Sequence, residues 1–212
     1  MPHPRTISIS LIRHAPTIYP KGTLPPADPD VDLSNLDQIN RTAGLIPPQA
    51  EWWISPLSRC QKTADALIKA GATPAASTTI PSLAEQDYGD WHGQEVAEIW
   101  GAVKDGPLSN WHFLHPSVIP PNGESFEMLV ERIAPVLDKI IASSQPELVL
   151  IAHGMVIRAL IGLAMRGGED VGASLAIDIA PLSFSRLTYM ADGASNDGQA
   201  GGRWMMNRLN NL

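Results

Sequence analysis

Cysteine is almost absent from the sequence: Cys60 is the only one in 212 residues. A single cysteine excludes an internal disulfide framework and suits a reducing compartment. The sequence also lacks an apolar run long enough to cross a bilayer, and its first residues do not resemble a signal peptide. We therefore expect a cytoplasmic location.

Positive charge is also scarce, with 15 lysines and arginines against 22 aspartates and glutamates, a net charge of −7. The protein as a whole therefore does not attract nucleic acid or an anionic membrane, and any anion site must be local. The apolar content of 44% and the charged content of 17% are ordinary for a globular protein. At this length we expect one domain over residues 1–212.

The first structured segment alternates apolar residues with serines over residues 7–11, which predicts a β-strand. The strand reaches Arg13 and His14, and Pro16 then prevents regular structure. In open α/β sheets this edge is where ligands bind. Taken alone, the Arg-His pair is equally consistent with a simple strand end.

Two further junctions between a strand and a helix carry similar residues. A predicted strand at 52–54 leads into a helix with Ser55 as N-cap and Arg59 in its first turn, where the helix dipole disfavours a cation. A bound anion would relieve this conflict, and a solvated arginine is the alternative. A buried strand at 148–152 ends on His153. Together the three junctions predict a phosphate pocket, without indicating whether phosphate is bound or transferred.

The remaining elements follow the same alternation of strands and helices, which predicts an α/β fold. A capping box of Ser34 and Asp37 predicts a helix from there to about residue 46. Besides an extended segment at 75–83, three more helices are predicted: one at 94–103, one from 122–125 to about 142 with Pro135 inside, and one that follows His153 and ends at Gly167-Gly168. Late strands are predicted at 177–179, 184–190 and 204–209. A Gly-rich loop at 191–202 separates the last two strands.

Two loops have compositions that suggest a place at the site. Residues 19–32 hold four prolines together with Asp28, Asp30 and Asp32, and we expect these carboxylates to border the mouth of the site and repel a strongly anionic substrate. Residues 83–93 concentrate carboxylates, aromatic residues and glycines, which indicates a site wall or an ordinary surface turn. His112 and His115 are at best half a metal site.

Five segments, in order, resemble the motifs of the histidine phosphatase superfamily, the phosphoglycerate mutase-like proteins. They are Leu-Ile-Arg-His-Ala-Pro-Thr (11–17), Ser-Pro-Leu-Ser-Arg-Cys-Gln-Lys-Thr-Ala (55–64), Leu-Ala-Glu-Gln-Asp-Tyr-Gly-Asp-Trp-His-Gly (83–93), Pro-Asn-Gly-Glu-Ser (121–125) and Ile-Ala-His-Gly-Met-Val-Ile-Arg (151–158). The resemblance implies a three-layer α/β/α sandwich with a mostly parallel central sheet. Segment 83–93 and the compact length are most similar to the branch that includes α-ribazole phosphatase.

The resemblance also implies the roles of individual residues. His14 would be the nucleophile that becomes phosphorylated, Glu85 would protonate the leaving group, and the phosphoryl oxygens would be held by Arg13, Arg59 and His153. Three more residues, Thr17, Gly154 and His92, are candidate substrate contacts. His92 stands where the family often has a glutamate or a glutamine, and a place on the rim of the site is the alternative for it. Two departures from the family pattern are Ala15 in place of glycine and Pro20 in place of an asparagine.

The sequence thus predicts a phosphatase that hydrolyses a small phosphorylated metabolite without metal or cofactor. Neither nucleic acid nor membrane is an expected partner, and a homodimer is left open. The enzyme alternative is a phosphoglycerate mutase, and the alternative of another class is a catalytically silent phosphate-binding or interaction module. A metal-dependent hydrolase ranks behind these, since we find no convincing metal site.

Overall fold

The computed structural model describes residues 5–103, 115–166, 171–190 and 203–212. Within these ranges the sheet has six strands: β1 (Thr6–Arg13), β2 (Glu51–Ile54), β3 (Ala76–Thr79), β4 (Glu147–Ala152), β5 (Phe184–Met190) and β6 (Trp204–Asn211). Their spatial order is β3-β2-β4-β1-β5-β6. The strands from β3 to β1 are mutually parallel, and β5 and β6 add an antiparallel edge.

The described ranges hold five α-helices: α1 (Leu36–Leu45), α2 (Ser58–Lys69), α3 (Val96–Val103), α4 (Phe126–Ala142) and α5 (Gly154–Arg166). Strand β4 is buried on both faces, which explains its unbroken apolar sequence. Leu148 and Leu150 pack in one core with α4 and α5, and Val149 and Ile151 pack in the other with α1 and α2. The three-layer α/β/α sandwich is therefore confirmed.

The strand order places the three predicted junctions side by side. Strand β4 lies between β2 and β1, with Arg13 opposite Ala152 and Ile54 opposite Ile151. Because these strands are parallel, their carboxyl ends meet at one edge of the sheet. The residues that follow each strand therefore share one site.

Two predicted helix starts are wrong. The cap of α1 is Asn35 rather than Ser34, because the Asn35 side chain accepts the amide of Gln38. Helix α2 begins at Ser58 rather than after Ser55, and its N-cap residue, Leu57, has no side-chain capping bond. The start of α4 agrees with the sequence, since Ser125 accepts the amide of Met128.

The predicted strand at 177–179 is also wrong. These residues follow a 3₁₀ helix at Val171–Ala176 and pair with no strand. The carbonyls of Ile177 and Ile179 accept hydrogen bonds from two arginine side chains instead. The predictions for His112, for Gly167-Gly168 and for the loop at 191–202 lie outside the described residues.

Candidate functional site

His14 lies directly after β1, and its backbone amide donates to the carbonyl of Ala152 at 3.0 Å. Its ring Nδ1 lies 2.7 Å from the carbonyl of Ala15, so Nδ1 carries the proton and donates it. Nε2 is therefore left with a free electron pair. The backbone of Ala15 is itself held by the hydroxyl of Thr63 at 2.9 Å, which fixes the loop that orients the ring.

The electrostatics of His14 favour the neutral ring. Burial, assisted by the charges of Arg13 and Arg59, lowers its pKa to about 3. The imidazole is therefore unprotonated at neutral pH. A neutral imidazole with its second nitrogen fixed by a carbonyl is a competent nucleophile.

His153 lies beside His14, with 5.0 Å between the ring centroids. Its Nδ1 accepts from Nε of Arg59 at 3.2 Å, so Nε2 carries the proton and donates to the hydroxyl of Ser55 at 2.7 Å. Burial lowers the pKa of His153, so this ring is also neutral. The ring is fully buried and does not line the cavity described below, so direct contact between His153 and a phosphoryl oxygen stays a prediction.

Arg13 reaches the site from the last position of β1. Its Nη1 donates to the carbonyl of Ile179 at 2.5 Å. Its Nε is buried and has no acceptor among the described residues. A buried guanidinium nitrogen without an acceptor is costly, and an anion in the neighbouring cavity would supply one.

Glu85 lies opposite these cations, in a segment fastened to the start of α4. Arg132 donates to the carbonyls of Ser82 and Ala84 at 2.6 and 3.1 Å and pairs with Glu124 at 2.5 Å. One oxygen of Glu85 accepts the amide of Gln86 at 3.1 Å. Desolvation raises the pKa of Glu85, which favours the protonated form that a general acid needs.

Two glycines allow this segment to lie against residues 121–125. A Cβ on Gly89 would stand 2.1 Å from the carbonyl oxygen of Pro121, and one on Gly123 would stand 2.5 Å from that of Asp87. Gly89 also has a positive φ of 51°. The motif at 121–125 therefore serves to seat the segment that bears Glu85.

These groups surround a cavity of about 190 Å³. Seven residues that the sequence nominated line it: Arg13, His14, Thr17, Arg59, Glu85, His92 and Gly154. Sequence reasoning missed several others, of which Arg158 brings a third guanidinium into the wall. The available signal for Arg158 was its position at the end of the motif at 151–158. The missed uncharged lining residues are Tyr19, Leu24, Pro25, Pro26, Pro29, Gln86, Tyr88 and Met155.

The prediction of an acidic mouth is wrong. Asp28 pairs with Arg59, Asp30 pairs with Lys62 at 2.7 Å, and Asp32 accepts the amide of Ser34 at 2.9 Å. None of the three carboxylates lines the cavity. The loop presents its prolines there instead, so this wall is apolar.

His92 lines the cavity but is held by protein groups through both ring nitrogens. Nδ1 lies 2.9 Å from the carbonyl of Pro25, and Nε2 lies 3.2 Å from the amide of Tyr88 and 3.1 Å from Asp87. The ring joins the proline wall to the segment bearing Glu85. Contact between His92 and substrate stays a prediction.

The described residues contain no cluster of three or more histidines, cysteines, aspartates or glutamates that would hold a metal ion. His115 bonds Ser117 at 2.9 Å. Among the same residues, no helix combines the length and the apolar character needed to traverse a bilayer.

The burial of His14 makes the stability of the protein depend on pH. Its pKa is about 3 in the folded protein against 6.5 normally, so in this interval the unfolded chain binds a proton that the folded chain does not. The free energy of unfolding should therefore decrease as pH falls through this interval, by up to about 1.4 kcal/mol per pH unit from this ring. Urea unfolding of the wild type and of His14→Asn, between about pH 4.5 and 7, would measure the difference in slope. Equal slopes would contradict the prediction.

Comparisons with known proteins identify the family. The model of the histidine phosphatase superfamily (branch 1) matches residues 9–198. A bifunctional protein of Mycobacterium tuberculosis is 34% identical over 171 residues, which cover 80% of this chain and 46% of that protein. This chain thus spans about half the length of that relative. A 2,3-bisphosphoglycerate-dependent phosphoglycerate mutase of Parvibaculum lavamentivorans is 29% identical over 166 residues, which cover 71% of this chain and 76% of that enzyme.

Solved structures show the same fold. The mycobacterial glucosyl-3-phosphoglycerate phosphatase superposes with a TM-score of 0.76 at 23% identity, covering 98% of this chain and 100% of the other. The α-ribazole phosphatase of Shigella flexneri superposes with a TM-score of 0.73 at 20% identity, covering 96% of each chain. With five motifs in order, the fold and the matching family model, the chain belongs to the histidine phosphatase superfamily, branch 1.

Proposed function

We propose that the protein is a metal-independent phosphatase that hydrolyses a small phosphomonoester through a phosphohistidine on His14. One observation carries the proposal. A neutral imidazole, with Nδ1 bonded to the carbonyl of Ala15, lines the same cavity as the guanidinium groups of Arg13 and Arg59 and a carboxyl group with a raised pKa. Nucleophile, anion clamp and proton donor are thus together.

In the first step, Nε2 of His14 attacks the phosphorus and forms the N–P bond while the bond to the ester oxygen breaks. Arg13 and Arg59 neutralise charge on the phosphoryl oxygens, and Glu85 gives its proton to the departing alkoxide. In the second step, the Glu85 carboxylate takes a proton from water, whose oxygen attacks the phosphorus. The N–P bond breaks, which releases inorganic phosphate and restores neutral His14.

The composition of the cavity wall supports a substrate whose organic group, the part esterified to phosphate, is uncharged. The loop at 19–32 places three prolines, Leu24 and Tyr19 against the cavity, and Tyr88 adds a second aromatic ring. Such a surface favours apolar or aromatic groups. We also propose a cytoplasmic location and a small phosphorylated metabolite as the partner, with no role for nucleic acid or membrane; a homodimer stays a prediction.

A phosphoglycerate mutase is the second candidate, favoured by mutases among the curated relatives and by Arg158, whose cation would suit a carboxylate. The two reactions differ in the acceptor, which is water in one and a second hydroxyl in the other. Arg158 donates to the carbonyl of Ile177 at 2.7 Å and to the sulfur of Met155 at 3.1 Å, and neither acceptor neutralises its charge.

The test offers 3-phosphoglycerate, primed with 2,3-bisphosphoglycerate, beside an aryl phosphate and a nucleoside phosphate. We expect faster phosphate release from the aryl and nucleoside esters, with excess chelator leaving turnover unchanged. Efficient isomerisation with little phosphate release would establish the mutase. Phosphate binding without turnover of any substrate would establish the silent module.

A further inference from the structure

Arg59 is held on two sides by protein groups. Its Nε donates to Nδ1 of His153 at 3.2 Å, and its Nη1 donates to the carbonyl of Ala27 at 2.8 Å and to Asp28 Oδ1 at 3.2 Å. Across the described residues, Nη2 makes no hydrogen bond to protein, and Arg59 lines the cavity. The guanidinium group of Arg59 is therefore restrained by its Nε and Nη1 bonds, and Nη2 is left for a ligand.

The same carboxylate also caps helix α2. Oδ2 of Asp28 accepts the amide of Ser58 at 2.8 Å, at a helix start whose own N-cap residue, Leu57, makes no side-chain bond. Partial burial raises the pKa of Asp28, but the bonds from Ser58 and the charge of Arg59 outweigh this and lower it. The helix dipole disfavours the cation of Arg59 in the first turn of α2, and the Asp28 carboxylate offsets part of this cost.

In the sequence, Asp28 stands between Pro26 and Pro29, two residues of the apolar wall. The other end of this wall is fixed by backbone bonds, from Leu24 to the carbonyl of Gln94 at 2.9 Å and from Gly93 to the carbonyl of Leu24 at 3.1 Å. At the Asp28 end, the bonds to Ser58 and Arg59 fix the loop to α2. Asp28 therefore fastens both the apolar wall and Arg59 to the start of α2.

We infer that Asp28 is a positioning residue of the phosphate site, which aims Arg59 and seats the proline wall beside it. The inference rests on the proposed function, because it takes Arg59 to bind a phosphoryl oxygen. Two effects of removing the carboxylate oppose each other. Loss of a negative charge near the site would strengthen anion binding, whereas loss of the restraint on Arg59 would weaken it. The sign of the change in phosphate affinity therefore distinguishes positioning from a general charge effect.

The experiment compares Asp28→Ala and Asp28→Asn with Asp30→Asn, a matched control in the same loop whose carboxylate pairs with the exposed Lys62. The probe is inorganic phosphate, titrated calorimetrically, with kcat and KM for an aryl phosphate and Tm measured in parallel. We expect Asp28→Ala to weaken phosphate binding by about tenfold or more, the range for a hydrogen bond between charged groups. Asp28→Asn, with one acceptor oxygen, should be intermediate and keep a Tm closer to that of the wild type. Asp30→Asn should stay within about twofold of the wild type.

Phosphate affinity that is unchanged or stronger in both folded Asp28 variants would overturn the inference while leaving the phosphatase proposal intact. If the Asp28 variants bind phosphate more weakly than the wild type, but the wild type itself hydrolyses no ester, the result would support positioning and overturn only the proposed reaction. A wild-type protein that binds no phosphate would overturn both.

Discussion

Replacing His14 by alanine should abolish turnover and leave the protein folded. The imidazole supplies the attacking nitrogen, and no other ring in the described chain lines the cavity with a nitrogen free of protein donors and acceptors. Strand β1 does not depend on this ring, because Ile7, Ile9 and Leu11 are each about 1% exposed. Loss of the bond to Ala15 should cost about 1 kcal/mol of stability.

The measurement is phosphate release, with Tm and circular dichroism to confirm folding. Rapid quenching of the wild type with substrate should trap a phosphorylated protein that is stable to base and labile to acid. His115→Ala is a suitable control, since the His115 side chain bonds only Ser117 among the described residues and lies outside the cavity. Retained turnover in His14→Ala, or an acid-stable adduct, would exclude the phosphohistidine mechanism.

Changing Glu85 to glutamine should separate leaving-group chemistry from phosphate binding. Glutamine keeps the size of the side chain and an oxygen to accept the Gln86 amide, but it has no acidic proton to give. With an alkyl phosphate we expect kcat to fall by about 10²–10⁴-fold, the range of general-acid catalysis. With a nitrophenyl ester, whose leaving group is stable as an anion, the loss should be much smaller.

Steady-state rates on the two esters, together with the affinity for inorganic phosphate, give the comparison. Phosphate affinity should change little, because Glu85 is not part of the cationic clamp. Equal losses on both esters would refute the role of Glu85 as an acid. Asp87→Asn would then be the next variant, since its carboxylate lies two residues away and bonds the amide of Gly89 at 2.8 Å.

Where local pattern and topology agree, the sequence predicted which residues come together at one edge of the sheet. The alternation ending at Arg13 and the apolar run ending at His153 indicate two parallel strands, and parallel strands must bring these ends to one edge. The sequence-based prediction failed at Ser55. Serine is a preferred N-cap residue, but the Ser55 hydroxyl bonds His153, which lies 98 positions away in the chain. Local propensity cannot reveal such a bond.

The loop at 19–32 illustrates the second limit. Its prolines correctly exclude helix and strand, but they do not give the direction of the chain. The three aspartates of this loop, at positions 28, 30 and 32, therefore suggested a negatively charged mouth. The structure turns the carboxylates toward Ser58, Lys62 and Ser34, and only their three-dimensional neighbours decide this.

The position of β1 within the sheet has a consequence for folding. The nucleophile follows a strand paired on both sides, and its parallel neighbour, β4, joins it from about 140 positions along the chain. Closing so long a loop is slow, and no shorter fragment can bring His14 to His153. Assembly of the site therefore requires a long-range pairing and does not follow from local structure alone. Partially folded forms in which β1 and β4 are apart therefore lack the assembled site.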